Sequence, residues 1–198
     1  MDRLVKNERL KRIDRGIYSL PLSSKRSFNI SVSNELKQLN GQLKTQFPFA
    51  SFCLWDSYTI LPYMHHIPNL NYIYVDVERE IMESVFNFLN ANQTKRVFLC
   101  PDKDEFNRYI IGIEAIIIRS LVSESPMQII ETIPTPSLEK ILVDIISDVE
   151  FDFLQGVEMS YFYRNIIEDH SINKSKLLRY ATRRGRRAEV EQLYNNAL

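Results

Sequence analysis

The sequence predicts an α+β fold: a mixed sheet followed by C-terminal helices and preceded by a small basic hairpin. Three observations carry that reading. Strand-like alternation and helical periodicity follow one another from about residue 27 to residue 132; helical periodicity then runs from Pro136 to the end; and the first 26 residues have a turn and a charge balance of their own. With 198 residues, 44% apolar and 11% aromatic, the chain can bury an ordinary core. One main domain, residues 27–198, and an appendage, residues 1–26, account for the length.

The elements follow in order. "RLKRI" and "IYSL" are short strand patterns joined by Asp14-Arg15-Gly16, and Gly16 supplies the positive φ of a three-residue hairpin loop. "SFNISVS" alternates and predicts a strand, while "NELKQLNGQLKTQF" places Leu36, Leu39 and Leu43 at helical spacing behind an Asn34 cap. "SFCLW" predicts a strand. "DSYTILPYMHHI" starts as a helix that Pro62 kinks or shortens. "NYIYVDV" is a strand, "EREIMESVFNFLN" a helix with Ile81, Val85, Phe88 and Leu89 on one face, and "RVFLC" a strand ended by Pro101. A short helix at "DKDEFNRYI" leads to strands at "EAIIIRSL" and "MQIIET". Four helices close the chain: "PSLEKILVDIIS", "VEMSYFYRNIIEDH", "SKLLRYATRRG" and "RRAEVEQLYNNA". In the first of them Thr135 and Pro136 suit the start, and Leu138, Ile141, Leu142 and Ile145 form the apolar stripe.

The net charge of zero hides an uneven distribution. Residues 1–26 carry eight Lys or Arg against three acids, residues 174–187 carry seven with no acid, and residues 27–173 carry ten basic against twenty acidic residues. Basic ends on an acidic middle point to a polyanion near the termini, above all at the first segment. No apolar run reaches the length of a membrane span and no apolar signal region follows the N-terminal charges, so a cytoplasmic protein without a membrane partner is expected. Cys53 and Cys100 lie in apolar stretches and read as buried free thiols.

The hairpin is the first candidate site. Lys11, Arg12 and Arg15 project from it, with Arg3, Lys6 and Arg9 close by in sequence, a set suited to phosphate contacts. The tail is the second. Arg183 and Arg184 fall where a helix C-terminus favours cations, with Gly185 as the C-cap, whereas Arg186 and Arg187 oppose the dipole of the next helix and suggest a partner surface. His65 and His66 are adjacent and on a helix would point about 100° apart, which does not chelate one metal. His170 reads as a satisfied or solvated imidazole, and Trp55, with Phe47, Phe49 and Phe52, as core.

"LVKNERLKRIDRGIYSLP" resembles the end of a recognition helix followed by the wing in AbiEi-type antitoxins, the transcriptional-regulator partners of bacterial abortive-infection, phage-defence toxin–antitoxin systems. "PTPSLEKILVDIISD" is similar to the motif that opens that family's C-terminal helices, with Pro136, Glu139, Leu142, Val143 and Asp144 at matching positions. "INKSKLLRYATRRGRRAEVEQLY" is similar to its closing segment. The resemblance lies in the order and spacing of these segments, which frame nearly the whole chain. It implies a remnant winged-helix hairpin, a domain of nucleotidyltransferase-like character, repression of the protein's own operon and neutralisation of a nucleotidyltransferase-like toxin. With only about seven residues ahead of the wing, the DNA-reading helix is all but missing, so contact with DNA is expected to be weak and non-specific.

The alternative is an enzyme of the same fold, in which carboxylates one residue apart on a strand hold Mg²⁺ against a nucleoside triphosphate. Asp76-Val77-Glu78 and Asp102-Lys103-Asp104 have that spacing, but the working members need a Gly-Ser turn ahead of the pair, and no Gly-Ser dipeptide occurs among the five glycines. Asp76 and Glu78 read instead as a strand end and helix start. No catalysis and no cofactor are expected.

Overall fold

A computed structural model of the chain describes residues 11–14, 17–19, 25–66 and 68–198. Strands β1 (Lys11–Asp14) and β2 (Ile17–Ser19) pair antiparallel, with a bulge between Arg12 and Asp14. The main sheet has four strands in the order β3 (Phe52–Asp56), β4 (Asn71–Val77), β6 (Glu114–Ser120), β5 (Arg96–Leu99). β3 runs antiparallel to β4, while β4, β6 and β5 are parallel to one another. A separate hairpin joins β7 (Met127–Ile130) to β8 (Ile133–Pro136). The architecture is α+β with a mixed sheet.

Both faces of the sheet are covered, because alternate side chains of each strand are apolar on both sides. On one face Ile73, Val75 and Val77 of β4 and Ile116 and Ile118 of β6 pack with Leu36, Leu39 and Leu43 of helix α1 (Asn34–Gln46) and with Val85 and Leu89 of helix α2 (Met82–Asn92). On the other, Tyr72 and Tyr74 of β4, Ala115 and Ile117 of β6 and Trp55 of β3 meet the C-terminal helices. These are α3 (Leu138–Ser147), α4 (Val157–Asp169), α5 (Lys174–Arg183) and α6 (Arg187–Asn196). α3 is buried on nearly every side: besides its apolar stripe, Glu139, Lys140 and Asp144 are withdrawn from solvent. No helix among the described residues is long and apolar enough to cross a membrane.

Several expectations are corrected. Residues 27–33 form no strand; only Arg26 bridges His170, with the Arg26 N–H donating to the Asp169 carbonyl at 2.8 Å. Phe28 and Ile30 pack into the apolar cluster on one face of the sheet and Val32 against the cluster on the other, so their alternation comes from packing in a segment without a ladder partner among the described residues. α1 is capped by Ser33, whose Oγ accepts from the Leu36 N–H at 3.2 Å, one residue before the expected cap. The Pro62 region makes two 3₁₀ turns, Ser57–Thr59 and Leu61–Tyr63, in place of an α-helix. Thr135 and Pro136 end β8 instead of starting α3. Phe49 is 98% exposed on a turn, outside the core that Trp55 and Phe52 join. Cys53 is buried and free as expected, but Cys100 is exposed, since at φ 46° it ends β5 in a left-handed turn.

Candidate functional site

The sheet register builds the centre of the site. Asp76 of β4 and Arg119 of β6 are direct register partners, and the period-2 alternation puts both on the face covered by α3. Arg119 Nε donates to Asp76 Oδ1 at 2.7 Å, and its guanidinium lies 4.7 Å from the centre of the Tyr74 ring and 5.6 Å from that of Trp55. α3 contributes Lys140 and Asp144, one turn apart. Lys140 Nζ reaches Asp76 Oδ2 at 2.6 Å and also bonds Asp144. Asp148, just past α3, takes Arg119 Nη1 at 3.2 Å and Arg184 from the end of α5, while Tyr180 of α5 donates to Asp144 Oδ1 at 2.8 Å. These groups line a cleft of about 250 Å³, which Cys100, Ser120 and Glu150 complete. It lies at the carboxyl ends of the parallel strands, where open α/β sheets commonly place ligands.

The electrostatics separate the carboxylates. Burial pushes Asp76 upward, but Arg119 and Lys140 more than offset it and hold the carboxyl below its ordinary range. Glu150, only 3% exposed on the turn Val149–Phe151, has no ion-pair partner among the described residues. Burial raises it to about 7, against the pull of Arg119 and with the repulsion of Asp148 added. Glu150 is therefore poised to exchange a proton near neutrality, and burial also raises Asp148 above its ordinary range against the pull of Arg119. Burial also pushes the Cys100 thiol up, which leaves it protonated and a poor nucleophile.

Glu150 and its neighbour Val149 line a second cavity as well. It measures about 420 Å³ and is walled by Leu70, Tyr72, Phe106, Ile111 and Phe153, with Asp152 the other charged group on its wall. Among the described residues no group of His, Cys, Asp and Glu gathers in an arrangement able to hold a metal ion. Asp76, Asp144 and Asp148 face cations instead.

The residues singled out from sequence scatter. Lys11 and Arg12 stand on β1, and Arg3, Lys6, Arg9 and Arg15 lie outside the described residues. Asp76 stands at the end of β4 and Glu78 opens the 3₁₀ turn that leads into α2, a strand end and a helix start as expected, so the two do not form a carboxylate pair on one strand. Asp102 caps a helical turn, accepting from the Glu105 N–H at 2.8 Å, and Asp104 is exposed on that turn. His66 pairs with Glu158 at 2.6 Å and His65 stacks on Tyr161. His170 is buried and satisfied by Tyr63 Oη at 2.6 Å and the Arg26 carbonyl at 3.1 Å.

The arginines of the tail point in different directions. Gly185, at φ 68°, closes α5 with the Arg186 N–H bonded to the Ala181 carbonyl at 2.8 Å and its own N–H to Thr182 at 3.1 Å. That cap turns Arg184 into the cleft and leaves Arg183 outside, on Glu124 and Ser123. Arg186 and Arg187 are exposed, with Glu189 at 3.6 Å and Glu191 at 4.0 Å as their partners.

Arg119, Lys140, Asp148 and Glu150 had no place in the sequence reading. For Arg119 and Lys140 the signal was faint but real: charges in "AIIIRS" and "LEKILVDII" at positions where the apolar pattern leaves no solvated face.

Such a fold, a mixed sheet with a charged cleft beneath a helical tail, defines a class by architecture alone. The chain belongs to a family of unknown function, DUF6577, whose profile matches residues 1–198. No curated protein sequence matches it.

Proposed function

We propose that the protein is an antitoxin-type transcriptional regulator that contacts DNA through its N-terminal hairpin, counters a nucleotidyltransferase-like toxin through the main domain, and performs no nucleotidyl transfer itself. The observation that supports this reading is the antiparallel pairing of Lys11–Asp14 with Ile17–Ser19, a hairpin in a basic stretch of the kind that a wing would use for phosphate contact. A second supports the non-catalytic part: both oxygens of Asp76, the strand carboxylate that would serve a metal, are held by Arg119 at 2.7 Å and Lys140 at 2.6 Å.

Fluorescence anisotropy with 20-base-pair duplexes of unrelated sequence tests the DNA contact. For about four phosphate contacts, affinity falls about 100-fold between 50 and 200 mM salt, whatever the sequence. Arg12→Ala with Arg15→Ala then weakens binding to every duplex alike. Salt-insensitive binding, or no response to the double substitution, removes the hairpin from the role. Co-expression with an adjacent toxin-like reading frame, scored by growth, tests the antitoxin half. Labelling of RNA or protein acceptors from nucleoside triphosphates that disappears in Asp76→Ala would replace this reading with the enzymatic one.

A further inference from the structure

We infer that the apolar cavity beside Glu150 is a binding site for a small organic ammonium ligand, an amine with an aromatic or aliphatic body, whose cation sits against the Glu150 carboxylate. Three independent features point there. The cavity, about 420 Å³, is of small-molecule size, and aromatic rings of Tyr72, Phe106 and Phe153 furnish its walls. Ile111 is 60% exposed and Phe153 39% exposed at its lining, apolar surface that the described residues leave uncovered. Glu150 and Asp152 supply negative charge there, and among the described residues no Lys, Arg or His lines the cavity. Asp152 is partnered by Lys103 at 2.8 Å, which leaves Glu150 as the carboxyl without a counter-ion.

Aromatic faces with one uncompensated carboxylate recognise an ammonium group and not an anion. The groups that face Glu150 sharpen this. Arg119 of β6 is the nearest cation by influence, yet it is committed to Asp76 of β4 and to Asp148, and the three cations Arg119, Lys140 and Arg184 are balanced by the three carboxylates Asp76, Asp144 and Asp148. An ammonium ion in the cavity completes the balance without disturbing those pairs. The site holds whether or not the hairpin binds DNA.

The test uses the full chain and four probes followed by isothermal titration calorimetry and NMR: phenethylamine and hexylamine, both cationic at neutral pH, neutral 2-phenylethanol, and anionic phenylacetate. The amines are expected to bind, with 2-phenylethanol and phenylacetate at least about tenfold weaker. Glu150→Gln weakens the amines by a similar factor and leaves 2-phenylethanol unchanged, and wild-type amine affinity falls as pH drops below 7 and the carboxyl protonates, levelling off at the Glu150→Gln value. Phe153→Ala weakens all apolar probes alike. Failure of both amines to bind, equal binding of 2-phenylethanol, or amine binding indifferent to Glu150→Gln overturns the inference; preferred binding of phenylacetate overturns it too and shifts attention to Arg119.

Discussion

Glu150 offers the sharpest test of the electrostatics, through Glu150→Gln. In the fold its carboxyl titrates at about 7, against an ordinary 4.5. Between those values the folded chain keeps a proton that the unfolded chain has released, so stability falls as pH rises through the window. Each tenfold ratio of proton affinity is worth 1.36 kcal/mol, which makes the loss about 3 kcal/mol once pH exceeds 7. Gln carries the neutral form at every pH. The variant is therefore as stable as the wild type near pH 4.5 and more stable by about 3 kcal/mol at pH 8, or roughly 6–12 °C in Tm for a chain of this size. Urea unfolding at half-unit intervals from pH 4.5 to 8 measures the difference directly. A gap that stays constant across the range, or a variant less stable than wild type at pH 8, would refute the claim that burial without a counter-ion governs this group.

Other perturbations have definite outcomes. Lys140→Ala leaves Asp76 and Asp144 short of a buried cation and costs about 3–5 kcal/mol by urea unfolding, whereas Lys103→Ala, which breaks an exposed pair, leaves the urea midpoint nearly unchanged. Arg184→Glu, aimed at Asp148, lowers Tm strongly, while Arg186→Glu on the exposed start of α6 changes it little; equal effects would mean that the cap at Gly185 does not sort the two arginines. Gly185→Ala meets no neighbour within 4 Å but must hold φ 68°, so it costs about 1 kcal/mol in thermal unfolding, from backbone strain alone.

Most strands and all the long helices were legible because their signal is local. Leu36, Leu39 and Leu43, or the alternation in "NYIYVDV", need no knowledge of the rest of the chain. Failures came where tertiary partners decide. Phe28, Ile30 and Val32 alternate like a strand, but no neighbouring strand runs beside them, and β8 was hidden because Pro134 and Pro136 disguise its pairing with β7. The cleft was illegible for the same reason. Asp76, Arg119 and Lys140 are separated by 43 and 64 residues from Asp76 onward, and only the sheet register and the approach of α3 bring them together. Arg184 was read as a helix-end cation like Arg183; both occupy the last turn, and only the geometry of the cap shows that one turns inward.

Burying this many charges demands an account, since well-packed apolar residues often serve stability as well as a buried ion pair does. β6 suggests one. Its sequence, "EAIIIRS", places isoleucine on both faces, and both faces are buried, so the apolar pattern penalises a one-residue slip against β4 only weakly. Arg119 does not share that tolerance. In the observed register it stands beside Asp76; a slip by one would turn its guanidinium into the cluster of Val75, Ile118 and Leu89, where no carboxylate waits. The ion pair therefore selects one register from a set that hydrophobic burial leaves nearly degenerate. The same selection carries outward, because Lys140 and Asp148 then fix α3 and its following turn over the strand ends, and Asp148 fixes Arg184 and with it the end of α5. Glu150, three residues past the last full turn of α3, is delivered by that chain of contacts to the wall between the two cavities, which is why a carboxyl left without a counter-ion stands at that point and nowhere else in the cleft.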